Sequence, residues 1–437
     1  MNTNNLQLKD LLNKQITVKI NSININGEGV SEYNNKKVCV DGVLPQEEVL
    51  CEVESQKASF LGCKKIKLIN KNKNRVVPKC KYSGVCGGCN LDFVDYKNAA
   101  SLKIQIIQDY FTDLYDGQVD FVQSNFDLGY RNKIAFFVFD NKLGLKQKAS
   151  NKIVEIDKCL IASKKINNIV DSLKESLKYI KSKSLTHIVV RDVENTLIVS
   201  YVFKNYEEKS VSKLKQFVLT NFSCSQNIMG FYVNINNKPS QILGDVWYHI
   251  FGLEYNLLKF EDKTIYIHPQ SFLQVNEYIM KKIYKDILLE VENNLVVEGY
   301  SGVGIMSTML TNKAKKVYSV EIDHQSYLSA EKNKKDNKID NLININDSCH
   351  NVLPKLVKQN PNSVFLIDPP RSGCDKQTLD ALNDSGIKKI IYISCNPYTL
   401  KQNLVYLKNN YKIQKLTVYD MFPNTSHVET VAILKRI

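Results

Sequence analysis

The chain has 437 residues, 43% of them apolar, which suits roughly two to four domains with buried cores and excludes a disordered tail protein or a disulfide miniprotein. It carries 59 Lys plus Arg against 45 Asp plus Glu, a formal charge of +14, and that excess favours a polyanionic partner, nucleic acid first, through counterion release. No apolar run approaches the roughly 20 residues of a spanning helix, and residues 1–14 are polar with no apolar signal core, so the expectation is a soluble, cytoplasmic monomer with no membrane partner. Eleven cysteines, an odd count in a chain without an export signal, point to free thiols, metal ligands or catalytic groups.

In chain order, residues 15–70 read as a small β-domain. Short alternating strands begin at Ile16, Lys37, Val49 and Cys63, and turn signals at Asn26-Gly27 and Asp41-Gly42 separate them. Four or five such strands suggest a small barrel of the oligonucleotide-binding kind. From Lys64 to Lys81 there are eight cationic residues and no acidic one, an electropositive strip or a solvated linker beside that barrel. A cysteine-rich knot follows, then a mixed α/β stretch to about residue 255, in which Arg131-Asn132-Lys133 opens one strand. From about residue 268 the pattern becomes strand, Gly-rich turn and helix in repetition. Leu295–Glu298, Lys316–Glu321, Ser363–Asp368 and Lys389–Ser394 are apolar runs of buried-strand length, which imply a doubly wound parallel sheet.

Three kinds of constellation carry chemistry. Cys80, Cys86 and Cys89 stand as C-x5-C-x2-C among Gly84, Gly87 and Gly88, and Cys159 is a fourth thiol that completes a set suited to zinc or to an iron–sulfur cluster. Glu298-Gly-Tyr300-Ser-Gly302-Val-Gly304 follows a buried strand, and Glu321 ends the next one, where a carboxylate can hold two ribose hydroxyls. That arrangement serves NAD and S-adenosylmethionine alike. The missing third glycine, with Ser307 in its place, leans toward the methyl donor. Asp347 ends the intervening strand and is placed to reach an adenine. Asp368-Pro-Pro-Arg371 and Ser394-Cys395-Asn-Pro397 lie at the carboxyl ends of two further strands, the edge where open α/β sheets bind ligands. Near the carboxyl terminus His427 and Glu429 alternate with Val428, which points both toward the same cleft.

At these residues the chain resembles the uracil-5 RNA methyltransferases, the ribosomal branch in particular. The resemblance rests on Cys80-x5-Cys86-Gly-Gly-Cys89, Tyr130-Arg-Asn-Lys133, Gln270-Ser-Phe-Leu-Gln274-Val-Asn276, the Gly-rich loop, Asp368-Pro-Pro-Arg371, Ser394-Cys-Asn-Pro397 and His427-Val-Glu429, and it runs nearly the whole chain. It departs from the common pattern at Ser301, where many members have Cys, and at Ser372, where many have Lys. The resemblance implies an α/β fold in three parts: an oligonucleotide-binding-like TRAM β-barrel over 1–72, a central α+β domain with an iron–sulfur cluster over 73–267, and a Rossmann-like catalytic domain over 268–437. It further implies a [4Fe–4S] cluster on Cys80, Cys86, Cys89 and Cys159, and an S-adenosylmethionine site using Gln274, Tyr300, Glu321, Asp347 and Asp368. Cys395 would be the nucleophile and Glu429 the base, with His427 the runner-up; Arg131 and Lys133 would contact RNA phosphates. The expected substrate is 23S ribosomal RNA, with transfer RNA as the alternative, and a non-catalytic RNA-binding module is the competing class.

Overall fold

The computed structural model describes residues 10–437 except positions 226, 239 and 361, so the polar stretch 1–14 lies outside the described residues as far as position 9. Two compact units divide the chain. One takes in the chain up to Gly84 with Cys89–Tyr110 and Asn424–His427, and the other takes Val85–Gly88, Phe111–Pro423 and Val428–Ile437.

The first unit holds a six-stranded sheet, in the order Gln15–Lys19, Glu48–Gln56, Phe60–Asn70, Lys36–Val40, Gly29–Tyr33 and Ser22–Ile23. Alternation sets its inner face: Ile16 and Val18, Val38 and Val40, and Val49, Cys51 and Val53 are buried while their neighbours along most of each strand are wetter. The Asn26-Gly27 signal is a real turn, in which Gly27 takes φ +82° and donates its N–H to Asn24 O at 2.9 Å. The cationic strip is less free than its composition implies. Arg75 closes a bidentate pair on the fully buried Glu47, with both N–O distances 2.6 Å, and Lys65 Nζ donates to Gly42 O at 2.6 Å. Arg75 serves the fold, because the buried Glu47 carboxylate left alone would be costly.

The second unit carries a seven-stranded sheet in the order Ile153–Glu155, Lys142–Lys146, Lys133–Phe139, Leu185–Val193, Thr196–Phe203, Met229–Ile235 and Val246–Gly252. It also carries the eight-stranded sheet that matters for chemistry. In spatial order that sheet runs Leu342–Asn346, Lys316–Glu321, Leu295–Gly299, Val364–Ile367, Lys389–Ser394, Glu429–Arg436, Tyr411–Tyr419 and Asp120–Val122. The first five are parallel; Leu295–Gly299, Val364–Ile367 and Lys389–Ser394 are buried on both faces, while Leu342–Asn346 at the edge alternates with Asn and is half-buried. Val364–Ile367 is wholly buried; Leu366→Ala would cost about 2–5 kcal/mol.

The sheet departs from the all-parallel expectation at one side. Glu429–Arg436 runs antiparallel to both of its neighbours. Only residues 420–428 separate it from Tyr411–Tyr419, fewer than the dozen or so that a parallel crossover needs, so the chain can only double back. Strand order reverses between Leu295–Gly299 and Val364–Ile367. That switch point opens a crevice at the carboxyl ends of the strands, where ligands bind in this architecture. Among the described residues no helix is long and apolar enough to cross a membrane.

Candidate active site

The Gly-rich turn after Leu295–Gly299 is shaped by three residues in the left-handed region: Tyr300 at φ +61°, Gly302 at +56° and Gly304 at +73°. Gly302 has open space where a Cβ would stand, and Gly304 caps the helix Ile305–Leu310. Glu321 ends the neighbouring strand and ties the turn down. Its Oε2 accepts the Gly302 N–H and its Oε1 the Asp323 N–H, both at 2.7 Å. Burial nevertheless raises its carboxyl above the usual range. Tyr300 donates its hydroxyl to Asp375 Oδ2 at 3.0 Å.

Asp347 is placed differently from these. It stands exposed one residue past Leu342–Asn346, and its Oδ1 accepts the Ser348 N–H at 2.7 Å and the Asn351 amide at 2.8 Å. Those contacts, the Asn351 amide first, hold its carboxyl below the usual range.

On the other side of the switch point Asp368 and Cys395 are half-buried and Glu429 is fully buried. Asp368 follows Val364–Ile367, is hydrogen-bonded by the Gln274 side chain, and has its carboxyl pushed up to about 7 by burial. Gln274 itself is buried, and its carbonyl accepts the Asn132 amide at 3.0 Å. Cys395 follows Lys389–Ser394, just ahead of the helix Pro397–Leu407. The pairing of Ser394 with Thr430 sets Cys395 and Glu429 opposite each other, one step beyond. Burial first, then the Glu429 carboxyl, pushes the Cys395 thiol up to about 11, while a hydrogen bond from Arg371 works the other way. The Arg371 loop is fastened beside that thiol: Asn396 Nδ2 and Thr399 Oγ1 donate to Arg371 O at 2.9 and 3.1 Å.

Glu429 is 0% exposed, neither of its carboxyl oxygens has a hydrogen-bond partner, and burial followed by Asp368 holds its carboxyl well above the usual range. The alternation expected from His427 to Glu429 does not hold. The strand begins at Glu429, Val428 is also buried, and His427 is exposed.

The expected RNA contacts are not two free surface cations. Lys133 is half-buried and pairs across the sheet with Arg191; burial first, then Arg191 and Arg131, pushes its amine down to about 7. Arg131 Nε donates to Lys133 O at 3.0 Å. Arg191 has no assigned part in the motifs, yet it is fully buried and donates to the carbonyls of His268, at 3.0 Å, and Ser271, so it braces the segment that carries Gln274. Only the position of Arg191 opposite Lys133 exposes it, and that pairing is absent from the sequence.

The cysteine set is reduced throughout, with no disulfide among the eleven. Cys80, Cys86, Cys89 and Cys159 are half-buried. Burial raises the Cys159 thiol, and the Cys86 thiol adds to the effect, while the N–H groups of Ala162 and Ile161 point at its sulfur. Asn167 brackets Cys159 by accepting its N–H and donating to its carbonyl, each at 2.9 Å. Among the described residues no three His, Cys, Asp or Glu side chains are gathered as a metal-ion set.

Comparison with known proteins bears on this geometry. The tRNA (Uracil-5-)-methyltransferase family model matches residues 95–437. A protein of Caldanaerobacter subterraneus subsp. tengcongensis, described as an uncharacterized RNA methyltransferase, is 31% identical over 98% of this chain and 99% of its own length. One of Clostridium tetani with the same description is 29% identical over 97% and 98%. In fold, the Pyrococcus abyssi tRNA (uracil-54, C5)-methyltransferase, solved with S-adenosyl-L-homocysteine, superposes with a TM-score of 0.76 at 23% identity, covering 96% of this chain and 100% of that one. With a match over most of its length and a relative above 30% identity across nearly all of it, the chain belongs to the tRNA (Uracil-5-)-methyltransferase family.

Proposed function

We propose that this protein transfers a methyl group from S-adenosylmethionine to carbon 5 of a specific uridine in 23S ribosomal RNA, through a cysteine adduct at carbon 6. The observation that carries the reading is the register that sets Cys395 opposite Glu429, a half-buried thiol facing a fully buried carboxyl, with Asp368 acting on both. The donor set suits a ligand with an adenosyl group at one end and an amino acid at the other. Glu321 has its carboxylate at the Gly-rich turn, Asp368 and Gln274 sit deeper, Tyr300 lines the turn, and Asp347 stands at the outer end. S-adenosylmethionine supplies an electrophilic methyl group.

The chain's own residues do the rest. Carbon 5 of uracil is a weak nucleophile, so the Cys395 thiolate adds to carbon 6 and turns the ring into an enolate with electron density on carbon 5. Arg371 is placed to favour that thiolate against the burial that opposes it. After carbon 5 is methylated, Glu429 removes its proton, the C5–H electron pair forms the ring double bond, and the thiolate leaves. The uridine must first leave any stack, at a cost of about a few kcal/mol. Phosphate contacts at the six-stranded sheet, to which we assign a TRAM-like RNA-binding role over 1–72, and at Arg131 would offset that cost, with a smaller share from Lys133, whose half-buried amine is pushed down to about 7.

We assign Cys80, Cys86, Cys89 and Cys159, in a central domain over 73–267 ahead of the catalytic domain 268–437, to a [4Fe–4S] cluster. Four reduced thiols, glycines between them and N–H groups aimed at the Cys159 sulfur support it. Anaerobically purified protein should then carry about four irons and four sulfides per chain. Stoichiometric zinc without broad visible absorption would overturn that assignment.

A transfer-RNA uridine is the second reading, favoured by the likeness in fold to an enzyme named for that substrate. Mapping 5-methyluridine in ribosomal and transfer RNA from a strain lacking the gene decides. Loss of one 23S site supports the first reading, loss from transfer RNA the second, and loss from neither removes both.

A further inference from the structure

Glu298 is a buried carboxyl that the reaction as written does not use. It is 3% exposed, on the strand Leu295–Gly299, and its Oε2 accepts the Ser307 hydroxyl. Register sets it beside Leu366, so Asp368, two residues on along the same face, lies diagonally from it. Its carboxyl is pushed up to about 8, by burial first, with Asp368 and Glu321 adding to the effect against the Ser307 hydrogen bond. The Asp368 charge acts on Glu298, Glu429 and Cys395 alike. From the helix Glu277–Leu288 Tyr284 comes within the field of the same three carboxyls, Asp368, Glu298 and Glu429. Arg371, which is exposed, acts on Glu429, and the buried Lys103 ammonium donates to His427 O at 3.1 Å, two residues before it. Carboxyls in one another's field, with Glu298 and Glu429 buried and Asp368 half-buried, resist ionising together; their protons belong to the group and not to single residues.

We propose that Glu298, Asp368 and Glu429 act as one acid cluster that holds protons while the crevice lacks a cation, and that a positively charged ligand beside Asp368 expels a proton from it. The step breaks a carboxylic O–H bond, leaves the electron pair on the carboxylate and releases the proton to solvent. Its consequence is order. The sulfonium charge of the methyl donor ionises Glu429 before transfer, transfer consumes that charge, and the carboxylate then takes the proton of carbon 5, which restores the protonated cluster. The inference rests on the proposed use of that donor, and Glu298 enters as a positioning residue that sets how many protons the cluster keeps.

The test is calorimetric and needs no turnover. The full-length protein, without RNA, is titrated at pH 7 with S-adenosylmethionine, which carries a fixed sulfonium charge, and with S-adenosylhomocysteine, which does not. Each titration is run in two buffers of unlike ionisation enthalpy, which yields the number of protons released. Release should be greater for the sulfonium ligand by roughly half a proton or more. Glu429→Gln should at least halve that difference, and Glu298→Gln, which keeps the Ser307 contact, should also reduce it. Equal release for the two ligands, or a difference unchanged in both variants, would overturn the cluster while leaving the proposed function standing. Failure of both ligands to bind would overturn the proposed function and the cluster with it.

Discussion

Asp347 and Glu429 stand at two sides of one strand-end edge, and the fold treats them oppositely. Asp347 is in solvent, and the Asn351 amide and the Ser348 N–H hold its carboxyl low. Glu429 is shut away with both oxygens unpartnered, and burial with Asp368 holds its carboxyl high. The two residues differ by one methylene, so the environment makes the difference. Water and amides on one side favour fixed charge, suited to holding a ligand. Desolvation on the other favours stored protons, suited to moving one.

The strongest way to break the comparison is to remove the thiol on the Glu429 side. Cys395→Ala should abolish methyl transfer, with residual activity below about one per cent, while binding of S-adenosylhomocysteine stays within a few-fold. Transfer of labelled methyl to RNA measures the first and calorimetry the second. Next in size, Glu429→Gln should slow turnover by about 10²- to 10⁴-fold and accumulate a methylated RNA–protein adduct that survives a denaturing gel. His427→Ala, at an exposed position outside the strand, should not. An adduct from the histidine variant alone would exchange the two roles.

The stored protons should also be legible in stability. Between pH 4.5 and about 8 the unfolded chain has lost a proton that the folded cluster containing Glu298 keeps, so unfolding releases a proton there and stability falls as pH rises. Glu298→Gln removes that penalty, on the order of a few kcal/mol at pH 8, so melting curves of variant and wild type should diverge upward through this window. A constant offset between them would show that the carboxyl titrates normally. On the wet side, Gly304→Ala puts a Cβ 3.0 Å from the Ala330 Cβ at φ +73°, and should cost about 1–2 kcal/mol in thermal unfolding and weaken donor binding. Smallest of all, Asp347→Asn should change donor affinity by no more than about threefold, because solvent screens its charge. A tenfold loss would mark it as a direct ligand contact.

Much of this was legible in the chain. Buried-strand runs at Leu295–Gly299, Val364–Ile367 and Lys389–Ser394 announced themselves by unbroken apolar character, because a strand covered on both faces has no polar side to alternate with. Glycines at 302 and 304 marked the turn because that backbone takes positive φ there. Alternation failed at His427, where a pattern of three residues could not say that the strand begins only at Glu429. It also gave no sign that Asp120–Val122, far upstream, joins the same sheet as its last strand.

By itself, then, the sequence determined where the parallel strands end and that Asp368 and Cys395 stand just past two of those ends. Local propensity and hydrophobic period act over a few residues, and those positions are local. Tertiary structure decided their protonation and their partners. It set Glu429 against Cys395, Glu298 against Asp368 and Lys133 against Arg191, and it determined which of them meet water. Desolvation and mutual charge arise only once distant strands lie side by side, so no local pattern can carry them.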